Sequence, residues 1–426
     1  MKKRIFIAMH YLEIGGAETA LIGLLQTIDY SRYDVDLFLY AHRGEMMQFI
    51  PKEVNLLPEI PIYAQIERSM KSVLMDGYIK MVVARLKGKI RTWSYMRHHK
   101  GKESAAGLQY TADAVASILP DINPSIEYDL AISFLQPHNI VRDKVQAKKK
   151  ICWIHTDYSV VDVNVEKELP VWDSFEHVIS ISDDVTKTFL QTFPSLKSKI
   201  VLMENILSPE FVRRRASGLE VSEEMSQSPQ TINLLTIGRY CYQKNLENVP
   251  DICKRINCQL SAQPKDARKA RTVRSAEGRS QGENSQLRVR WYIMGYGGDE
   301  QLIRDRISEA GMEDLVILLG KKSNPYPYIK ACDIYVQPSR YEGKSVTVRE
   351  AQMLCKPVVV TNYPTASSQI KDGVDGCIVP LDNEGCAKGI AEFVLNKDLQ
   401  NKIVNYLQNH DYGNEGEIEK LYQIIP

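Results

Sequence analysis

Two carboxylates eight positions apart, Glu342 and Glu350, stand in the run IYVQPSRYEGKSVTVREAQMLCKPVVVT at residues 334–361. On a helix Glu350 shares a face with Val346 and Leu354, its neighbours at i−4 and i+4, so it lies on or beside an apolar stripe. A carboxylate there costs free energy unless something bonds it. Paired sugar or ribose hydroxyls would do so, and so would an ordinary salt bridge with Arg349 or another neighbour. A second pair is cationic: Arg239 and Lys244, in GRYCYQKN at 238–245, flank a turn ahead of a helix. Two cations over a helix N-terminus suit a diphosphate, because charge-assisted bonds to phosphate are strong and a guanidinium binds bidentately. Taken alone, either pair also fits chance. His155 follows an apolar run, with Asp157 close behind. At the carboxyl end of a strand such a histidine can donate to a sugar hydroxyl or a phosphate. The competing reading is a structural histidine.

Strands and helices must hold these groups. Residues 334–336 are apolar and β-prone, and Pro338 closes the run. Gly343 loosens the following loop, Lys344 lies in it, and Ser345 is the expected N-cap of a helix reaching about Leu354. Pro357 then admits the apolar run 358–360, which suits a strand buried on both faces. A parallel strand that feeds a helix N-terminus leaves unpaired N–H groups aimed at one spot, a ready anion site. The same strand–turn–helix order recurs elsewhere. Strand 4–9 leads to Gly15-Gly16 and a helix from about Ala17, a turn that suits a phosphate or is simply tight. Strand 233–237 ends at Gly238, and strand 291–294 ends at Gly295, in GYGG. Further short strands are expected at 34–40, 128–134, 150–154, 177–182, 199–203, 316–319 and 377–379.

With 426 residues the chain is long enough for two or three domains, and its formal net charge of +1 carries no signature of nucleic-acid binding. The eight cysteines form no CxxC pair and several lie in apolar runs, so they read as reduced core thiols of a cytoplasmic protein. Cys253 and Cys258 lack nearby His or Cys partners, which speaks against zinc. Asp34 and Asp36 spell D-x-D at the start of a strand and read as surface carboxylates rather than a metal site. No metal is expected. The start, MKKRIFIAMHYLE, reads as a first strand and not a signal peptide, and no apolar stretch reaches 18 residues.

Two segments break the pattern. Residues 65–103 carry ten Lys or Arg against three acids, interleaved with Met, Trp, Tyr and Val. That is a basic amphipathic pattern, suited either to anionic lipid or to helices packed on the domain with a solvated basic face. Residues 261–290 hold eight Lys or Arg and few apolar side chains, which reads as a flexible insertion. Residues 208–230 are polar and read as a linker.

With PSRYEG before it and DGVDGCIVPLD after it, the Glu342–Glu350 spacing resembles the E-x7-E motif of the retaining, nucleotide-sugar-dependent glycosyltransferases of family 4. Their GT-B fold is α/β, two Rossmann-like domains facing across a cleft. The resemblance implies an acceptor-side domain at 1–207, the linker at 208–230, and a donor domain at 231–400 with the insertion at 261–290. The tail, 401–426, would be helical and cross back to the first domain. It further implies that Glu342 meets the donor sugar, Glu350 the ribose, and Arg239 with Lys244 the leaving diphosphate. His155 would lie near the sugar. Gly15, Gly16, Gly238, Gly295, Gly343, Lys344 and Ser345 would line the donor, with backbone groups near Lys322-Ser323-Asn324 holding the base. Glu204-Asn205 departs from the family's P-N-G turn. The implied reaction transfers a hexose-type sugar from a UDP- or GDP-linked donor to a glycan or lipid-linked acceptor by same-face substitution. It needs no cofactor, and peripheral contact with the inner membrane face would run through 65–103. An epimerase or hydrolase of the same fold, or a non-catalytic partner subunit, are the alternatives.

Overall fold

The structure, a computed structural model, describes residues 2–97, 103–104, 106–156, 158, 161–218, 220–225, 228–262 and 287–426. Asp157 and most of the expected insertion, 263–286, lie outside the described residues. The chain divides into two compact units, Met1–Ser208 with Asn414–Pro426, and Pro209–Gly413. Each is Rossmann-like, so the α/β architecture of two such domains is present.

In the first unit seven parallel strands lie side by side in the order of those starting at residues 55, 33, 3, 128, 147, 177 and 200. In the second, six parallel strands run in the order 316, 288, 231, 334, 358 and 377. Apolar, β-branched runs make these strands because helices cover both faces of a parallel sheet. Val358–Thr361 is buried at every position. Each unit closes over its own core. One gathers Phe6, Phe38, Tyr63, Trp172 and Phe189; the other gathers Trp291, Ile256, Val336, Val359 and Phe393. Buried Cys152, Cys253, Cys332 and Cys386 are free thiols. Among the described residues no helix is long and apolar enough to cross a membrane.

Strand order decides where ligands can be met. In both sheets the order reverses beside the first strand of the unit, and in open α/β sheets the crevice at that reversal, beyond the carboxyl ends, is the binding place. In the second unit the reversal lies between Thr231–Ile237 and Ile334–Gln337. The loops 238–245 and 338–345 leave those two strand ends.

The expected linker is structured. Pro209–Ala216 is a helix of the second unit, with Phe211, Val212, Arg215 and Ala216 buried. Val221 and Met225 are buried as well. Polar composition concealed a thin but regular set of apolar anchors. The D-x-D carboxylates split: Asp34 is exposed, while Asp36 accepts hydrogen bonds from Asn55 and Tyr128. The tail rejoins the first unit at Asn414, whose side chain bonds the backbone of Asn205 and Leu207. Tyr422 stacks on Tyr33 at 4.9 Å between ring centroids and accepts from the Asp29 amide at 2.7 Å.

Candidate functional site

At the reversal of the second sheet, Lys244 and Glu342 meet at 2.5 Å, with side chains only 16% and 7% exposed. Glu342 Oε1 also accepts from Ser339 Oγ at 2.5 Å and Gln337 Nε2 at 3.0 Å, while among the described residues Oε2 has only Gln243 at 3.4 Å. One carboxylate oxygen is therefore saturated and the other nearly open. An ammonium has three donors, so the bond to Glu342 leaves two for another anion. Arg340 ties the two loops together: its guanidinium bonds the Tyr242 carbonyl and Glu247, and its amide donates to Gln243 O.

Two glycines permit this approach. Gly295, at φ +149°, would place a Cβ 1.9 Å from Gly238 O, and a Cβ on Gly238 would press the aliphatic stem of Lys244 at 3.2 Å. Gly343 faces open space. The helix expected directly after the two cations begins only at Val249, after two short 3-10 turns and Asn245 in a left-handed conformation. Lys244 therefore works by its own charge and not over a helix N-terminus. Arg239 is exposed and has no hydrogen bond or ion pair among the described residues.

The helix Val346–Met353 follows the Glu342 loop. Ser345 occupies its N-cap position without capping it by side chain. Instead the Ser345 amide donates to Gln369 Oε1 at 3.0 Å, and Gln369 Nε2 donates back to Ser345 O at 2.6 Å. Thr365 Oγ1 bonds the carbonyls of Glu342 and Gly343, and Lys344 is exposed. Glu350 is buried and accepts from Tyr326 OH at 2.7 Å; no bond to Arg349 is seen among the described residues. Burial pushes its carboxyl up to about 7, against the opposing pull of Tyr326 and Arg215. Arg215, from the helix read as linker, lies over the Tyr326 ring at 5.1 Å and donates to Ser323 O at 2.8 Å. Glu224 from the same stretch pairs with Lys322 at 2.5 Å.

The first unit has its own polar edge. His10, His138 and His155 each keep a buried Nε2 without a hydrogen-bond partner among the described residues. His155 follows Ala147–Ile154, packs on Phe134 at 4.9 Å, and spends its other nitrogen on the Phe134 backbone. Burial lowers it to about 4, so the ring is neutral at pH 7 and Nε2 is an acceptor, not the donor expected. Burial, with His155 and His10 nearby, lowers His138 to about 3. His10 Nδ1 meets Glu67 at 2.5 Å. Burial would raise the Glu67 carboxyl, but His10, Tyr11 and Arg43 outweigh it and hold it low. Gly15 is extended and Gly16 faces open space; the Glu18 carboxylate folds against Gly15, so the turn already faces a negative group.

Lys244, Glu342, Gly238 and Gly295 thus converge, and Gly343, Ser345 and Glu350 follow along the same loop and helix. Gly15, Gly16 and His155 belong to the other unit. Sequence reasoning passed over Gln337, Ser339, Arg340, Tyr326, Arg215, His10 and Glu67. The polar Gln337 and Ser339 closing an apolar strand were a usable signal, as was His10 at the end of the first strand. Among the described residues no three His, Cys, Asp or Glu side chains cluster as metal ligands would.

Residues 226–410 match the family model described as "Glycosyl transferases group 1". A lipopolysaccharide core biosynthesis mannosyltransferase of Rhizobium meliloti, LpsB, is 30% identical over 86 residues, 20% of this chain and 24% of that protein. The Escherichia coli UDP-Gal:alpha-D-GlcNAc-diphosphoundecaprenol alpha-1,3-galactosyltransferase is 28% identical over 120 residues, 25% of this chain and 31% of that protein. These matches span about a quarter to a third of the length of either relative. Anabaena Alr3699/HepE, solved in complex with UDP-glucose, is similar in fold with a TM-score of 0.61 at 15% identity, over 99% of both chains.

Proposed function

We propose that this chain, whose residues 226–410 match the model of the glycosyl transferases group 1 family, is a retaining glycosyltransferase. It would move a hexose-type sugar from a UDP- or GDP-linked donor to a glycan or lipid-linked acceptor. The observation that carries this reading is the part-buried contact of Lys244 with Glu342 where the second sheet reverses.

In the reaction the bond from the anomeric carbon to the diphosphate oxygen breaks. A bond to the acceptor oxygen forms on the same face, and the acceptor proton passes to the departing phosphate. Charge builds on that diphosphate as it leaves, and fixed cations aimed at developing charge are the largest usual source of rate. Lys244, with two donors to spare, and Arg239, exposed and unpaired among the described residues, take this part. Glu342 orients the sugar hydroxyls through its open oxygen. Glu350 receives the ribose, and His155 accepts from a sugar hydroxyl. Gly15, Gly16, Gly238, Gly295, Gly343, Lys344 and Ser345 line the donor. Two protein cations supply the charge that a metal supplies in other sugar transferases, so no resident metal or cofactor is proposed. The relatives named for lipopolysaccharide core and diphosphoundecaprenol substrates favour an acceptor met at the cytoplasmic membrane face by a peripheral protein.

The test is incubation with UDP- and GDP-sugars, with and without glycan or lipid-linked acceptors. Acceptor-dependent release of UDP or GDP, with the anomeric configuration kept and turnover unchanged by EDTA, is expected. Free sugar or an epimer from donor alone would identify the hydrolase or epimerase, and calorimetry showing no binding of either nucleotide would leave a non-catalytic subunit.

A further inference from the structure

The helix Ile79–Met96 has two unlike apolar faces. Met81, Ala84 and Gly88 are buried, packed so closely on the neighbouring helix Ala106–Ala116 that a Cβ on Gly88 would come 2.8 Å from Thr111 Cα. At 3.6 residues per turn the opposite face carries Ile79, Val83, Leu86, Ile90 and Trp93, spaced 4, 3, 4 and 3. These five side chains are 62%, 60%, 50%, 58% and 57% exposed. Singly, an exposed Leu is ordinary, but five in one stripe are not.

The charges beside the stripe say what covers it. The sequence of this helix, IKMVVARLKGKIRTWSYM, contains five Lys or Arg and no acid. Lys80, Lys87 and Arg91 flank one side of the stripe and Lys89 the other, all exposed and without an ion pair among the described residues. Arg85 points inward to the carbonyls of Gln65 and Arg68. Arg97 lies over the Trp93 ring at 3.4 Å, an amphipathic pair suited to a headgroup layer. A second copy of the chain pairing through this stripe would set cations against cations. An anionic surface with an apolar layer beneath it matches both features.

We infer that the Ile79–Val83–Leu86–Ile90–Trp93 face docks on an anionic lipid bilayer, lying in the interface with its cations on the headgroups. The helix, about 27 Å long at 1.5 Å per residue, lies on the bilayer and does not span it. Docking there deepens the acceptor side of the proposed function and rests on it only for its purpose, since vesicle binding requires no nucleotide.

The experiment is co-sedimentation of the full chain with phosphatidylcholine vesicles, with and without one third phosphatidylglycerol. The chain is expected to pellet with the anionic vesicles only and to be released by 0.5 M salt. Leu86→Glu with Ile90→Glu should abolish pelleting. Lys87→Glu with Lys89→Glu should lower it by roughly fivefold or more for each cation lost. All four positions are exposed, so the thermal midpoint should match the parent, and UDP or GDP binding should be unchanged. Failure of the parent to pellet, or pelleting of both variants like the parent, overturns the inference. So does a parent that is dimeric by sedimentation equilibrium when the Leu86/Ile90 variant is monomeric. Loss of vesicle binding with nucleotide binding intact separates this face from the donor site.

Discussion

Lys244 and Glu342 are 98 positions apart, and their contact is the most buried charge pair of the candidate site. Lys244→Ala removes the cation nearest the proposed leaving group. A fall of about 10²–10³ in kcat is expected, read by steady-state release of nucleotide diphosphate. Glu342 keeps Ser339, Gln337 and Gln243, so the stability loss should stay near 1–3 kcal/mol. Turnover near the parent value would remove the site as described. Glu350 allows a test by pH. Its folded-state value lies near 7, above the ordinary 4.5, because burial disfavours the charge. Between those values the folded state holds a proton that the unfolded chain has lost, so the contribution of Glu350 to stability falls as pH rises through that window. Glu350→Gln, which can still accept from Tyr326, should stabilise the fold at pH 8 by about 3 kcal/mol, read as a higher thermal midpoint. At pH 4 it should change it little. Comparing variant with parent is essential, because neutral His138 and His155 lose stability in the opposite direction, as pH falls from about 6.5. Equal midpoints at pH 8 would mean that Glu350 is not held under strain.

Among the elements, the loops leaving Thr231–Ile237 and Ile334–Gln337 do the positioning, and their glycines differ in what they tolerate. Gly295 is pinned by its positive φ and by Gly238 O, whereas Gly343 has open space. Gly295→Ala should cost about 2–4 kcal/mol and weaken nucleotide binding, while Gly343→Ala should leave the unfolding free energy within about 0.5 kcal/mol of the parent. A chemical-denaturation series on both variants decides it; equal stability would mean that the loop crossing is slack. Strand identities were readable because short β-branched apolar runs bounded by Gly and Pro bury well only as the strands of a covered sheet. The helix Pro209–Ala216 was not, since its polar residues outnumber Phe211 and Val212 and only packing shows that Arg215 turns inward. Ser345 behaves in the same way: its position as N-cap was legible, but its bonds go to Gln369, 24 residues on.

For the molecule as a whole, the two units have separate cores, and the tail from Asn414 belongs to the first. Tyr422→Ala removes the stack on Tyr33, the cover over Arg32 and the acceptor for the Asp29 amide. It should cost about 2 kcal/mol and leave nucleotide affinity in the second unit unaltered, as expected for sites that share no contacts. Calorimetry with UDP and GDP on the variant, held well below its melting range, checks this; lost affinity would mean that the units are not energetically independent. Local pattern was enough to establish the alternating strands and helices, the turns after each strand, the glutamate and cation pairs, and the basic amphipathic character of the segment that holds the apolar stripe. These depend on neighbours within a few positions, and chain stereochemistry translates them directly. Which of those turns meet, which oxygen of Glu342 stays nearly open among the described residues, and that Tyr326 and Arg215 stand over Glu350 came only with the fold. Such contacts join residues 24 to 98 or more positions apart, and their distances follow from strand order and sheet reversal, which no local spacing encodes.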